Sequence, residues 1–126
     1  MATSALGVLL RHLRDKQGFS LAELAQFAEV DRAYVYRLET GEKESPSEEV
    51  LSKLIKVLKP TARHLDMLNF LAVNPGTDPA LTEHVLKVDT SVTFDEFVPA
   101  ATVRHRGEHR PDPATLIERV RKFLKE

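Results

Sequence analysis

Ser20-Leu21-Ala22-Glu23-Leu24-Ala25-Gln26-Phe27-Ala28-Glu29-Val30-Asp31-Arg32-Ala33-Tyr34-Val35-Tyr36-Arg37-Leu38-Glu39-Thr40-Gly41 is the stretch on which the fold turns. Ser20 and Glu23 stand at the spacing of a capping box, where a hydroxyl and a carboxylate each satisfy a backbone group left free by the first helical turn. That spacing predicts a helix running to about Ala28. After the turn Ala28-Glu29-Val30-Asp31 a second helix starts, with Asp31 as its N-cap and Val35 and Leu38 facing inward. Gly41 ends it, at the position where a left-handed residue is cheapest. Two helices this short need apolar cover from elsewhere in the chain.

The flanks supply that cover. Leu6, Leu9, Leu10 and Leu13 recur at the three-and-four spacing of a helix face, with Ser4 placed to start the helix and Gly18 to stop it. Pro46-Ser47 opens a fourth helix with Leu51, Leu54, Ile55 and Leu58 on one face, and Pro60-Thr61 a fifth carrying Leu65, Leu68 and Leu71. Asn74-Pro75-Gly76-Thr77-Asp78-Pro79 gathers turn formers and breakers and reads as the boundary of the domain. Beyond it Asp78-Pro79 caps a helix with Leu81, Val85 and Val88 in its stripe. Thr93 and Glu96 form another capping box, and Pro99 is expected to kink or cut the helix that follows. Asp112-Pro113 opens a terminal helix with Leu116, Val120, Phe123 and Leu124 along one side. Alternation appears only faintly, between Val92 and Val98. The expected class is all-α: a five-helix unit over residues 1–72, a linker over 73–79 and a helical region over 80–126.

Composition narrows the function. The 126 residues include no cysteine, which excludes a disulfide framework, thiolate metal sites and cysteine nucleophiles. No apolar run approaches the ~18 residues of a membrane span, and no basic region precedes the apolar stretch at the N-terminus, so neither a span nor a signal peptide is expected. The expected location is cytoplasmic. No glycine-rich phosphate loop, catalytic carboxylate pair or nucleophile motif stands out, so the chain does not read as an enzyme. Lys and Arg number 18 against 19 Asp and Glu, a net charge of −1 that gives no long-range attraction for nucleic acid. Any contact with DNA must come from local geometry.

Local geometry offers one. Two short helices joined by a tight turn and held by others are the parts of a helix-turn-helix, whose second helix enters the major groove while the first crosses the phosphate backbone. The sequence resembles the XRE family, the DNA-binding domains of the phage repressor and Cro type. The likeness runs through Leu10-Arg11-His12-Leu13-Arg14-Asp15-Lys16-Gln17-Gly18-Phe19-Ser20, Leu24-Ala25, Val30, Val35-Tyr36-Arg37-Leu38-Glu39-Thr40-Gly41, Pro46-Ser47, Leu51, Leu54 and Leu58. It implies a recognition helix from about Arg32 to Thr40, with Arg32, Ala33, Tyr34 and Arg37 at base edges. The residue chemistry agrees, since arginine forks onto guanine O6 and N7 and a small side chain meets a thymine methyl. Tyr34 and Tyr36 are placed to reach phosphates or to pack beside the helix. Ser20 and Leu21 offer a helix N-terminus to a phosphate, and Lys16 and Lys43 add positive charge. The resemblance also implies that Arg14 and Glu39 form a structural ion pair. Glu29 occupies the turn position where the family usually has glycine, so a left-handed backbone there costs about 1 kcal/mol, or the turn differs.

Residues 1–72 carry ten Lys and Arg against ten Asp and Glu, which predicts weak non-specific binding and a need for dimerisation. The order of elements in the second half looks like the short helical dimerisation modules of some XRE repressors, with Leu116, Val120, Phe123 and Leu124 as the seam. The expected function is a homodimeric repressor of double-stranded DNA reading a palindromic operator. The alternative is an antitoxin-like or adaptor protein that engages another polypeptide. His105 and His109 lie four apart, but three arginines flank them and Gly107 interrupts the helix, so no metal and no cofactor is expected.

Overall fold

A computed structural model describes residues 3–103 and 111–125, and among these the secondary structure is entirely helical. The order is α1 (Ala5–Gln17), α2 (Leu21–Ala28), α3 (Arg32–Thr40), α4 (Glu48–Leu58), α5 (Ala62–Val73), α6 (Pro79–Lys87), α7 (Phe94–Thr102) and α8 (Pro113–Lys125). The expected starts and stops recur as hydrogen bonds. Ser4, Asp31, Ser47, Thr61 and Asp78 each accept from a first-turn N–H of the helix they precede. The capping boxes Ser20/Glu23 and Thr93/Glu96 are both closed. Gly18 and Gly41 end α1 and α3 in the left-handed conformation. The Arg104–Arg110 cluster, with His105 and His109, lies outside the described residues.

One apolar cluster runs through the whole set, from Leu6, Leu9 and Leu24 through Leu54 and Leu68 to Leu81, Phe97 and Val120. α1 is its axis, in contact with α3, α4, α5 and α6, while α2 packs on α3 and α4. Between α5 and α6 the stretch 74–78 is a turn in which Thr77 is buried and its hydroxyl donates to Asn74 O at 2.8 Å. It delivers α6 directly onto α1, and α7 and α8 pack on each other and on α5 and α6. The Arg63 guanidinium fastens this second half to α5, donating to Val92 O at 2.8 Å and Val85 O at 3.1 Å. Arg121 of α8 closes the other side through Glu96 at 3.0 Å and Asp89 at 3.3 Å.

One expectation is narrowed and three details depart from theirs. Of the two outcomes expected at Pro99, a kink or a cut, the cut does not occur: α7 continues to Thr102, whose hydroxyl donates to Val98 O at 2.9 Å. The ring removes one helical donor, and Asp95, whose carbonyl loses it, is exposed to water. Val88 is 73% exposed, because α6 ends at Lys87 and its buried face is Leu81, Thr82, Val85 and Leu86. α5 buries His64, Met67, Leu68 and Leu71, leaving Leu65 only half-buried. Leu116 and Val120 of α8, with Ile117, are buried in the chain's own core, whereas Phe123 and Leu124 are exposed beyond it.

Candidate nucleic-acid interface

α3 owes its position to contacts on its inner side. Val35 and Leu38 are fully buried, and the Arg14 guanidinium of α1 meets the Glu39 carboxylate through two parallel bonds, Nε to Oε2 at 2.8 Å and Nη2 to Oε1 at 2.9 Å. Arg14 Nη1 also donates to Phe19 O at 3.0 Å, so one side chain ties together α1, the start of α2 and the end of α3. Both charged groups are largely buried, with side chains 14% and 8% exposed. The Glu39 carboxylate beside it raises the Arg14 pKa further. Next to this pair Gly7 lets α1 and α3 touch: a Cβ there would sit 2.5 Å from Glu39 O and 2.7 Å from Leu38 O. The sequence reading overlooked Gly7. The signal was present, since an isolated glycine inside a helical pattern often marks a close backbone approach.

The outer side of α3 carries Arg32, Ala33, Tyr36 and Arg37, all exposed. At 3.6 residues per turn they span about 140° of arc, with Tyr36 near the middle. Arg32 makes no hydrogen bond or ion pair among the described residues, and the Arg37 guanidinium has a single exposed ion pair, with Glu42 at 3.8 Å. Tyr34 stands to one side. It is half-buried, its hydroxyl accepts from Ser47 N at 3.2 Å, and the Lys43 ammonium lies 5.0 Å from its ring centre. Tyr34 therefore braces the start of α4 while Tyr36 occupies the open face.

The remaining candidates divide. The Ser20 hydroxyl is spent on Glu23 N, and the Glu23 carboxylate bonds Ser20 N at 2.9 Å, so an anion of the chain already sits at this helix start. Those backbone and hydroxyl bonds hold the Glu23 pKa below its ordinary value. The Leu21 side chain is half-buried against the core, which leaves only its backbone N–H for a phosphate. Lys16 does not join α3. It is exposed and lines a small cavity beneath the α4–α5 turn with Leu58, Pro60 and His64. The turn between α2 and α3 is built on Glu29 in the left-handed region, φ 55° and ψ 45°, with its N–H donating back to Ala25 O and Gln26 O.

Two helices meeting through a left-handed turn, the second anchored inward and open outward, match what family comparison finds: a family model described as a helix-turn-helix domain covers residues 5–66. Residues 5–66 are a helix-turn-helix domain. It is of the XRE-like type, and a domain of this kind points to a DNA-binding regulator of transcription. No curated protein matches the chain. In this domain α2 and α3 are the two helices of the motif and α1, α4 and the first part of α5 are its support. Among the described residues no group of three or more His, Asp or Glu is placed to hold a metal ion, and no helix is long and apolar enough to cross a membrane.

Proposed function

We propose that the protein is a sequence-specific repressor of transcription that binds double-stranded DNA as a homodimer and reads a palindromic operator in the major groove. The observation that carries this reading is the outward face of α3, where Arg32, Ala33, Tyr36 and Arg37 are exposed on a helix locked to α1 by Arg14, Glu39 and Gly7. Two arginines about a turn and a half apart match the reach needed to fork onto guanines, and Ala33 leaves room for a thymine methyl. Lys43 and the free N–H groups at the start of α2 serve as phosphate contacts. The net charge of zero over residues 1–72 makes one copy a weak binder, and two copies on two half-sites about one helical turn apart supply the rest. Phe123 and Leu124, 72% and 49% exposed at the end of α8, are the part of the terminal stripe available to a second copy. The protein works in the cytoplasm and catalyses nothing.

Selection of duplexes from a random pool, with the mass of the complex measured alongside, tests this directly. The expected result is one enriched palindromic sequence bound by two copies, with affinity falling steeply as salt is added. Enrichment of no duplex, together with salt-insensitive capture of a polypeptide, would instead favour the adaptor reading that the zero net charge also permits.

A further inference from the structure

The chain leaving α3 is fastened to that helix at several points. Gly41 turns in the left-handed region, φ 86°, so close to the N-terminal segment that a Cβ there would lie 2.9 Å from Ser4 N. Two residues on, Lys43 N donates to Arg37 O at 3.0 Å, and its side chain covers the Tyr34 ring. Glu42 lies between these two fixed residues, and its exposed carboxylate comes within 3.8 Å of the Arg37 guanidinium, nearest at Nε. No nitrogen of that guanidinium, including the two terminal ones that would meet O6 and N7 of a guanine, makes a hydrogen bond among the described residues.

We propose that Glu42 is a positioning and specificity residue for DNA recognition: its carboxylate restrains the Arg37 guanidinium from the Nε side, leaving the fork without a hydrogen bond of its own, and at the same time repels the phosphates of every duplex. This rests on the reading of α3 as the recognition helix. The two effects have opposite signs. Buttressing removes rotamer freedom from Arg37 before binding and so favours the cognate site. The carboxylate beside the groove disfavours every duplex alike, so the discrimination comes from the buttressing alone. Glu44 is also exposed in this loop but makes no ion pair with α3 among the described residues, so it has only the second effect.

The test compares Glu42→Gln and Glu44→Gln, each alone and combined with Arg37→Ala, on the duplex enriched by selection and on a scrambled duplex of the same length. Glu42→Gln is expected to strengthen the scrambled duplex while leaving the selected one little changed, so that the preference between them narrows by roughly two- to five-fold, the scale of an exposed ion pair. Glu44→Gln is expected to strengthen both equally. With Arg37→Ala in place, Glu42→Gln is expected to behave like Glu44→Gln. If Glu42→Gln moves both duplexes equally, leaving the preference unchanged, while selection still yields a site, the positioning role is wrong and the recognition helix stands. If no variant and no wild-type protein prefers the selected duplex, the recognition reading itself falls. The melting temperature of Glu42→Gln, expected to equal wild type for so exposed a pair, excludes misfolding as the cause of either result.

Discussion

Replacing Arg14 by Met strikes the joint that holds α3. The substitution keeps the aliphatic bulk but removes both bonds to Glu39, at 2.8 and 2.9 Å, and the bond to Phe19 O at 3.0 Å. Glu39 is then a carboxylate only 8% exposed with its cationic partner gone, a situation that costs about 3 kcal/mol. The lost bond to Phe19 O adds about 1 kcal/mol. Denaturant unfolding followed by circular dichroism measures the sum, and a loss of about 4 kcal/mol lowers the melting temperature by roughly 10–15 °C in a chain of this size. Glu39→Leu alone leaves a half-buried guanidinium and is expected to cost a similar amount. The double variant Arg14→Met/Glu39→Leu removes both charges together, so it should be less destabilised than the sum of the singles by about 2 kcal/mol. Single-variant costs near 1 kcal/mol, with no coupling in the cycle, would mean that the pair does not anchor α3 and that Val35 and Leu38 alone hold it.

Three further outcomes follow from the packing. Burial, with Arg63, Lys16 and His12 nearby, pushes the His64 imidazole down to about 4 from an ordinary 6.5. The unfolded chain therefore binds the extra proton first, and stability present above pH 6.5 is lost as pH falls toward 4: about 2 kcal/mol by pH 5, a slope that His64→Gln should flatten. Gly7→Ala should destabilise by about 2 kcal/mol despite alanine's better helix propensity, because the new methyl meets two backbone carbonyls at 2.5 and 2.7 Å; unfolding midpoints equal to wild type would refute the close approach. Glu29→Gly should stabilise by up to about 1 kcal/mol, since the left-handed strain at φ 55° disappears while the unfolded chain gains some freedom; a destabilised variant would show that Glu29 is not strained.

What the sequence disclosed and what it concealed divide along the range of the interactions. Ser4, Ser20, Glu23, Asp31 and Thr93 act on backbone groups a few residues away, and Gly41 acts through its own left-handed backbone, so their spacing was enough to place the helix ends. The outward positions of Arg32 and Arg37 were what the family resemblance implied, and the burial of Val35 and Leu38 on the same short helix agrees with them. Tyr34 and Tyr36 could not be told apart this way, because the difference lies in Ser47 N, thirteen residues beyond Tyr34, which donates to the Tyr34 hydroxyl. The same holds for α5, where Leu65, Leu68 and Leu71 and the observed His64, Met67, Leu68 and Leu71 are stripes one step apart, and only the α1 and α7 surfaces choose between them. Leu116 and Val120 read as a seam for a second copy, yet the chain's own α6 and α7 cover them, a fact of tertiary packing with no local signature. Glu29 was legible as a conflict between residue type and turn, and the turn prevailed at the expense of strain.

The central claim is that the exposed face of α3 reads bases. Binding of wild type and Arg37→Ala to the selected duplex and to its full set of single-base variants measures it most directly, at one fixed salt concentration. The account predicts that Arg37→Ala loses about 1–3 kcal/mol on the selected duplex and becomes indifferent at one base pair per half-site, with the preferences elsewhere retained. An unchanged profile of base preferences, with affinity lowered uniformly or not at all, would contradict it.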